Sequence, residues 1–171
     1  MADIGIFRNN KHIELIEGEL IETAAMYALH ISTVMRLGHL LISKLDALAN
    51  ISIQCPLRLD EYNEPEPDLA VLKRRDDFYS DATPAAQDAL LVVEVADSSL
   101  IYGRQTKLPL YAKHGVPEYW IVNLQDKAIE AYRQPFEKGY RQTTLYQHGD
   151  LISAAAFGDM VFAVSDILSK K

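Results

Sequence analysis

The sequence predicts an α/β (α+β) fold: a central mixed β-sheet flanked by helices, with an N-terminal β-hairpin. Three observations predict it. Residues 90–96, LLVVEVA, are apolar on both sides of the strand period, as expected of an interior strand covered on both faces. Between Tyr27 and Ala49, Ile31, Val34, Met35, Leu41, Ile42, Leu45 and Leu48 recur at helical spacing, with Arg36, Lys44 and Asp46 between them. Beyond Gly115, the runs 118–124, 128–134 and 139–146 read as successive strands with tight connections.

Taken in order, HIELIEGELIETA (12–24) alternates around Glu17-Gly18 and predicts two short strands joined by a tight turn. The helix over 27–49 follows and is the longest. The runs 51–59 and 68–72 are strand-like, separated by DEYNEPEP, where Pro65 and Pro67 lack the N–H that a sheet ladder needs. The polar stretch 73–88 reads as a surface excursion. A second helix falls between Arg104 and His114, stopped by Gly115 with Pro117 beyond it, and Pro109 lies in its first turn or kinks it. VFAVSDILS forms a short closing helix.

A chain of 171 residues, 49% apolar and 24% charged, is expected to form a single domain over 1–171. Its apolar stretches fall well short of the roughly 20 residues of a membrane-spanning helix. No signal-peptide pattern opens the sequence, so a cytoplasmic protein without a membrane partner is expected. The single cysteine, Cys55, excludes an internal disulfide and a zinc-ligand pair, and reads as a small buried hydrophobe. A net charge of −7 argues against non-specific coating of nucleic acid, which needs a broad basic surface; Lys73-Arg74-Arg75 is the local basic cluster. Glycine-rich phosphate loop, G-x-S-x-G elbow and H-E-x-x-H helix are all missing, which disfavours P-loop enzymes, α/β-hydrolases and zinc proteases.

Glu94 is the informative residue. An unpaired carboxylate in a buried strand is costly, so a salt bridge, a neutral carboxyl or a bound cation must compensate. Asp68 opens the apolar strand DLAVL, where a strand end can present a carboxylate into a cleft. Two carboxylates from neighbouring strands can hold a hard divalent ion that keeps several waters and accepts substrate oxygens, as in a phosphodiester-cleaving site.

PEPDLAVL, LLVVEVADSSL and KLPLYAKHGVPEYWIVNL, together with ELIEGELIE and QCPLRLDEYNEPEPD, resemble the Uma-type family of the PD-(D/E)xK restriction-endonuclease-like superfamily, over residues 13–165. The resemblance implies a restriction-endonuclease-like core, dependence on Mg²⁺ with Mn²⁺ as a substitute, and nucleic acid, DNA in particular, as substrate. It puts the metal-binding carboxylates at Asp68 and Glu94. The lysine of the E-x-K pattern would share the strand face of Glu94, but Ala96 stands there; similar families carry it on the next helix, at Lys107. Relatives place an aspartate four residues earlier, where this chain has Gly103.

Glu19 and His30 are implied as outer partners of the metal or substrate, and Lys73, Arg74, Arg75 and Arg104 are the candidate nucleic-acid contacts. His30 and His39, nine residues apart at about 100° each, lie on opposite helix faces and cannot share an ion. Tyr119-Trp120 reads as core. A homodimer is expected, since cutting two strands takes two sites and two-fold dimers are common. Ala96 and Gly103 also motivate a second reading, a catalytically weakened or inactive nuclease-fold module that binds nucleic acid or protein.

Overall fold

A computed structural model of the chain describes residues 13–22 and 27–168. Its centre is a six-stranded sheet of order β3-β4-β5-β6-β7-β8: β3 (Ala49–Ile53), β4 (Leu69–Lys73), β5 (Ala89–Ala96), β6 (Glu118–Asn123), β7 (Ala128–Phe136) and β8 (Gly139–Tyr146). β5 and β6 run parallel and the other neighbours antiparallel. A parallel pair needs a crossover, and here it is α2 (Leu100–Tyr102), a π-helical turn over Gly103–Lys107, and α3 (Leu108–Lys113).

The strand period sorts side chains onto two faces. Leu69, Val71, Leu91, Val93, Trp120, Val122 and Ile129 pack on one face against Val34, Leu37, Leu41 and Leu45 of α1 (Ala28–Leu45). The last strand pair, β9 (Leu151–Ile152) and β10 (Phe162–Ala163), and α4 (Val164–Ile167) close that layer. On the other face Ala70, Leu72, Val92, Ala96, Tyr119 and Ile121 pack against Tyr111 and Val116. Asp68 and Glu94 share the parity of this second face, the side covered by α3.

The N-terminal hairpin pairs β1 (Ile13–Ile16) with β2 (Glu19–Glu22); the outer ends of the expected 12–24 segment lie outside the described residues. Glu17 and Gly18 both take positive φ, 52° and 80°, as a two-residue hairpin turn demands. The hairpin docks on the proline-bearing loop through Glu64 N to Leu15 O, Gly18 N to Tyr62 O and Glu17 N to Asn63 Oδ1, at 2.8, 2.9 and 2.8 Å.

Three expectations need correction. The strand expected over 51–59 spans Ala49–Ile53, because Gln54 turns at φ 49° and ends the ladder. That turn leaves Cys55 exposed, where a buried thiol was expected. The second helix begins at Leu100 rather than beyond Arg104 and passes through the π turn, with Leu108 N bonding Gly103 O. Pro109 has no N–H for the next backbone acceptor, and the shifted register adjoins it. Gly115, at φ 75°, ends α3 as its position predicts.

Candidate active site

Asp68 sits one residue before β4, whose Leu69 pairs with Val93, so continuation of the register brings Asp68 opposite Glu94. Each carboxylate is held by its surroundings. Val95 N and His30 Nε2 donate to Asp68 Oδ2 at 2.8 and 3.1 Å, and Gln54 Nε2 to Oδ1 at 3.3 Å. Lys107 Nζ and Tyr111 Oη donate to Glu94 Oε1 at 2.7 and 3.0 Å. The same ammonium donates to Glu14 Oε1 at 2.8 Å, and Glu66 N donates to that oxygen at 2.8 Å. Glu14 is 1% exposed, and its Oε2 is buried with no hydrogen-bond partner among the described residues.

Burial pushes the Glu94 carboxyl up; Lys107 pulls it down, Asp68 and Glu14 raise it further, and the result stands at about 7. Burial alone would lower the Lys107 ammonium, but Glu94 and Glu14 outweigh it and raise it. His30 is raised above its ordinary value chiefly by its hydrogen bond to Asp68, against the opposing effect of burial. Three carboxylates thus face one firm cation and an imidazole biased toward its charged form.

These groups line a cavity of about 310 Å³, whose wall also includes Ile21, Tyr27 and Tyr102. Ala96 lies on the Glu94 face of β5 and is buried, and the lysine beside Glu94 is supplied from the π turn by Lys107. Two contributors were not assigned to the site from sequence. Glu14 shares the parity of Ile16, the buried side of β1. Tyr111 is a fully buried core residue, yet its hydroxyl reaches Glu94.

Other candidates lie elsewhere. Glu19 is exposed near the hairpin turn and lies off the cavity, which the hairpin lines instead with Glu14 and Glu22. His39 is exposed on α1 while His30 reaches Asp68. Tyr119 and Trp120 are fully buried core residues. Lys73 closes β4 at the end opposite Asp68, and Arg74 and Arg75 follow it; Arg74 pairs with Asp76, and Arg75 with Asp77 and Asp81. Arg104 forks onto Glu130.

The donor set suits a hard cation in kind. Among the described residues no group of three or more His, Cys, Asp or Glu side chains stands ready to hold a metal, and Lys107 engages Glu14 and Glu94 together. What remains is a pair of carboxylates on adjoining strands with open space before them. This fits an ion of the Mg²⁺ type, which takes one or two carboxylates and completes its shell with water and substrate oxygens.

A family described as Uma2, putative restriction endonuclease, matches residues 2–165. No curated protein matches the chain. Among solved structures, the crystal structure of a putative nuclease belonging to DUF820 from Anabaena variabilis ATCC 29413 is similar, with a TM-score of 0.76 and 15% identity. The similarity covers 92% of this chain and 89% of that one, and it bears on the fold. No described helix is long and apolar enough to cross a membrane.

Proposed function

The chain belongs to the Uma2 family, and from that premise we propose that it is a divalent-metal-dependent endonuclease that hydrolyses phosphodiester bonds in DNA. The observation that carries this reading is the meeting of Asp68, Glu94 and Lys107 in one cavity. Asp68 and Glu94 would hold Mg²⁺, or Mn²⁺ in its place. The bound ion supplies an acidified water and neutralises charge on the scissile phosphate.

The chain's own groups do the rest. His30 and Val95 N fix the rotamer of Asp68 through one oxygen, the kind of outer support that orients a metal ligand. Lys107 and Tyr111 fix Glu94 in the same way. The Lys107 ammonium, buried and raised in pKa, remains charged throughout the neutral range and would steady negative charge accumulating on a phosphate. A two-fold dimer would give each strand its own site.

The test is plasmid nicking. Wild-type protein should nick with Mg²⁺ or Mn²⁺ and stop with EDTA, while Asp68→Asn and Glu94→Gln, folded by circular dichroism, should not nick. Lys107→Ala should slow nicking by about 10²–10³-fold, the scale of one lost transition-state contact. Wild-type protein that binds Mn²⁺ yet nicks no faster than the two carboxylate variants would point instead to a binding module, the reading that Ala96 and Gly103 raise.

A further inference from the structure

Lys107 is held by two carboxylates with almost equal bonds, 2.8 Å to Glu14 and 2.7 Å to Glu94. Glu94 is also a ligand in the metal-dependent reading above, on which this inference rests. A dication drawing on Glu94 would weaken the nearer of these bonds and repel the ammonium. A buried ammonium left facing a dication without an anion is costly and would swing out to water. Glu14 is placed to prevent this. Its Oε1 is anchored by the backbone N–H of Glu66, and its Oε2 is buried without a partner among the described residues. An ammonium has three donors, so the lysine can turn to that second oxygen without leaving the cavity.

We propose that Glu14 is a positioning residue: it retains the Lys107 ammonium beside the reaction centre when Glu94 turns to a divalent cation, and acts on the metal only through the lysine. The hairpin thereby contributes to the site without ligating the ion. Removing Glu14 leaves Glu94 as the lysine's one anion among the described residues, so cation and ammonium then compete for the same carboxylate. Glu14→Gln keeps the oxygen that accepts from Glu66 N, so the hairpin retains its anchor.

The experiment is a double-mutant cycle read by Mn²⁺ affinity, by calorimetry on full-length protein, which needs no turnover. Glu14→Gln should weaken Mn²⁺ binding about tenfold in the wild-type background and by less than about threefold in the Lys107→Gln background, since effects that pass through one contact are strongly non-additive. Equal losses in both backgrounds would mean that Glu14 attracts or ligates the ion directly, and would overturn the proposal. Wild-type protein that binds no Mn²⁺ would overturn the metal-dependent reading itself.

Lys107→Gln leaves two buried carboxylates without their cation and can fail to fold, so a second measurement uses native lysine. In ¹⁵N-labelled wild-type protein saturated with Mg²⁺, the Lys107 ammonium signal should stay protected from solvent exchange. In Mg²⁺-loaded Glu14→Gln the protection should be lost. Loss of protection in the loaded wild type, or its persistence in the variant, would overturn the role of Glu14.

Discussion

Glu94 stands between two states of charge, and the sign of its effect on stability follows from the direction of its shift. Its carboxyl is raised from 4.5 to about 7 by burial and by Asp68 and Glu14, against Lys107. A raised acid gives stability that is complete below the unfolded pKa and is lost as pH climbs through the folded one. His30, also raised, has the same sign: its contribution is complete below 6.5 and disappears above its folded value. Metal-free protein should therefore melt progressively lower as pH rises from about 4.5 to above 7, and Glu94→Gln should flatten the slope below about 7. Melting curves in EDTA across that range decide it; an unchanged slope in the variant would place the titrating group elsewhere. Asp68 and Glu94 were legible because apolar strands isolate their charges. Glu14 was not, because Ile13, Leu15 and Ile16 make both faces of its strand apolar, and the side on which a two-stranded hairpin docks is a tertiary matter.

At the level of elements, alternation and helical spacing located the hairpin, the strands of the six-stranded sheet and α1 but not β9 and β10, and the ends moved where single residues turned the chain, as at Gln54. The π turn was harder to foresee, since it expresses a conflict between helix continuation and Pro109 rather than a local preference. It carries Gly103 and Lys107, both buried, and π turns recur at functional positions. Gly103 has helical φ, −58°. A Cβ there would meet Tyr119 Oη at 3.5 Å and Ile121 Cδ1 at 3.6 Å, ordinary contacts. Nothing in the backbone therefore requires glycine, which loses more freedom on folding than alanine. Gly103→Ala should stabilise the protein by about 0.5–1 kcal/mol, a rise of about 1–4 °C in Tm for a chain of this size. A lower Tm would show that Tyr119 and Ile121 cannot keep their places beside a methyl group. The absence of an aspartate here does not leave Lys107 unheld, because Glu14 reaches it from the hairpin.

Over the whole molecule, charge is arranged for structure more than for attraction of a polyanion. The chain carries −7, and Arg58, Arg74, Arg75, Arg104 and Arg133 each stand against a carboxylate. The cleft adds Glu14, Glu22, Glu66, Asp68, Glu94 and Asp97 to its wall, with Lys107 and His30 as its basic groups. The basic run Lys73-Arg74-Arg75, conspicuous in the sequence, lies at the far end of β4 from Asp68, beside Asp76, Asp77 and Asp81. Sequence alone could not reveal this, since pairing and position both depend on the fold. Proteins that bind nucleic acid by neutralising phosphates release counterions, and log K falls against log salt with a slope of about −0.9 per phosphate on a duplex. With these five arginines already paired, this protein should show a shallow slope, about −1 to −2, when binding to a short duplex is titrated from low to moderate salt at fixed Mg²⁺. Arg75→Ala should leave that slope unchanged, because Asp77 and Asp81 already hold its guanidinium. A slope steeper than about −4, reduced by that substitution, would mean that the surface arginines exchange their carboxylates for phosphates on binding, and that the far end of β4 belongs to the nucleic-acid path after all.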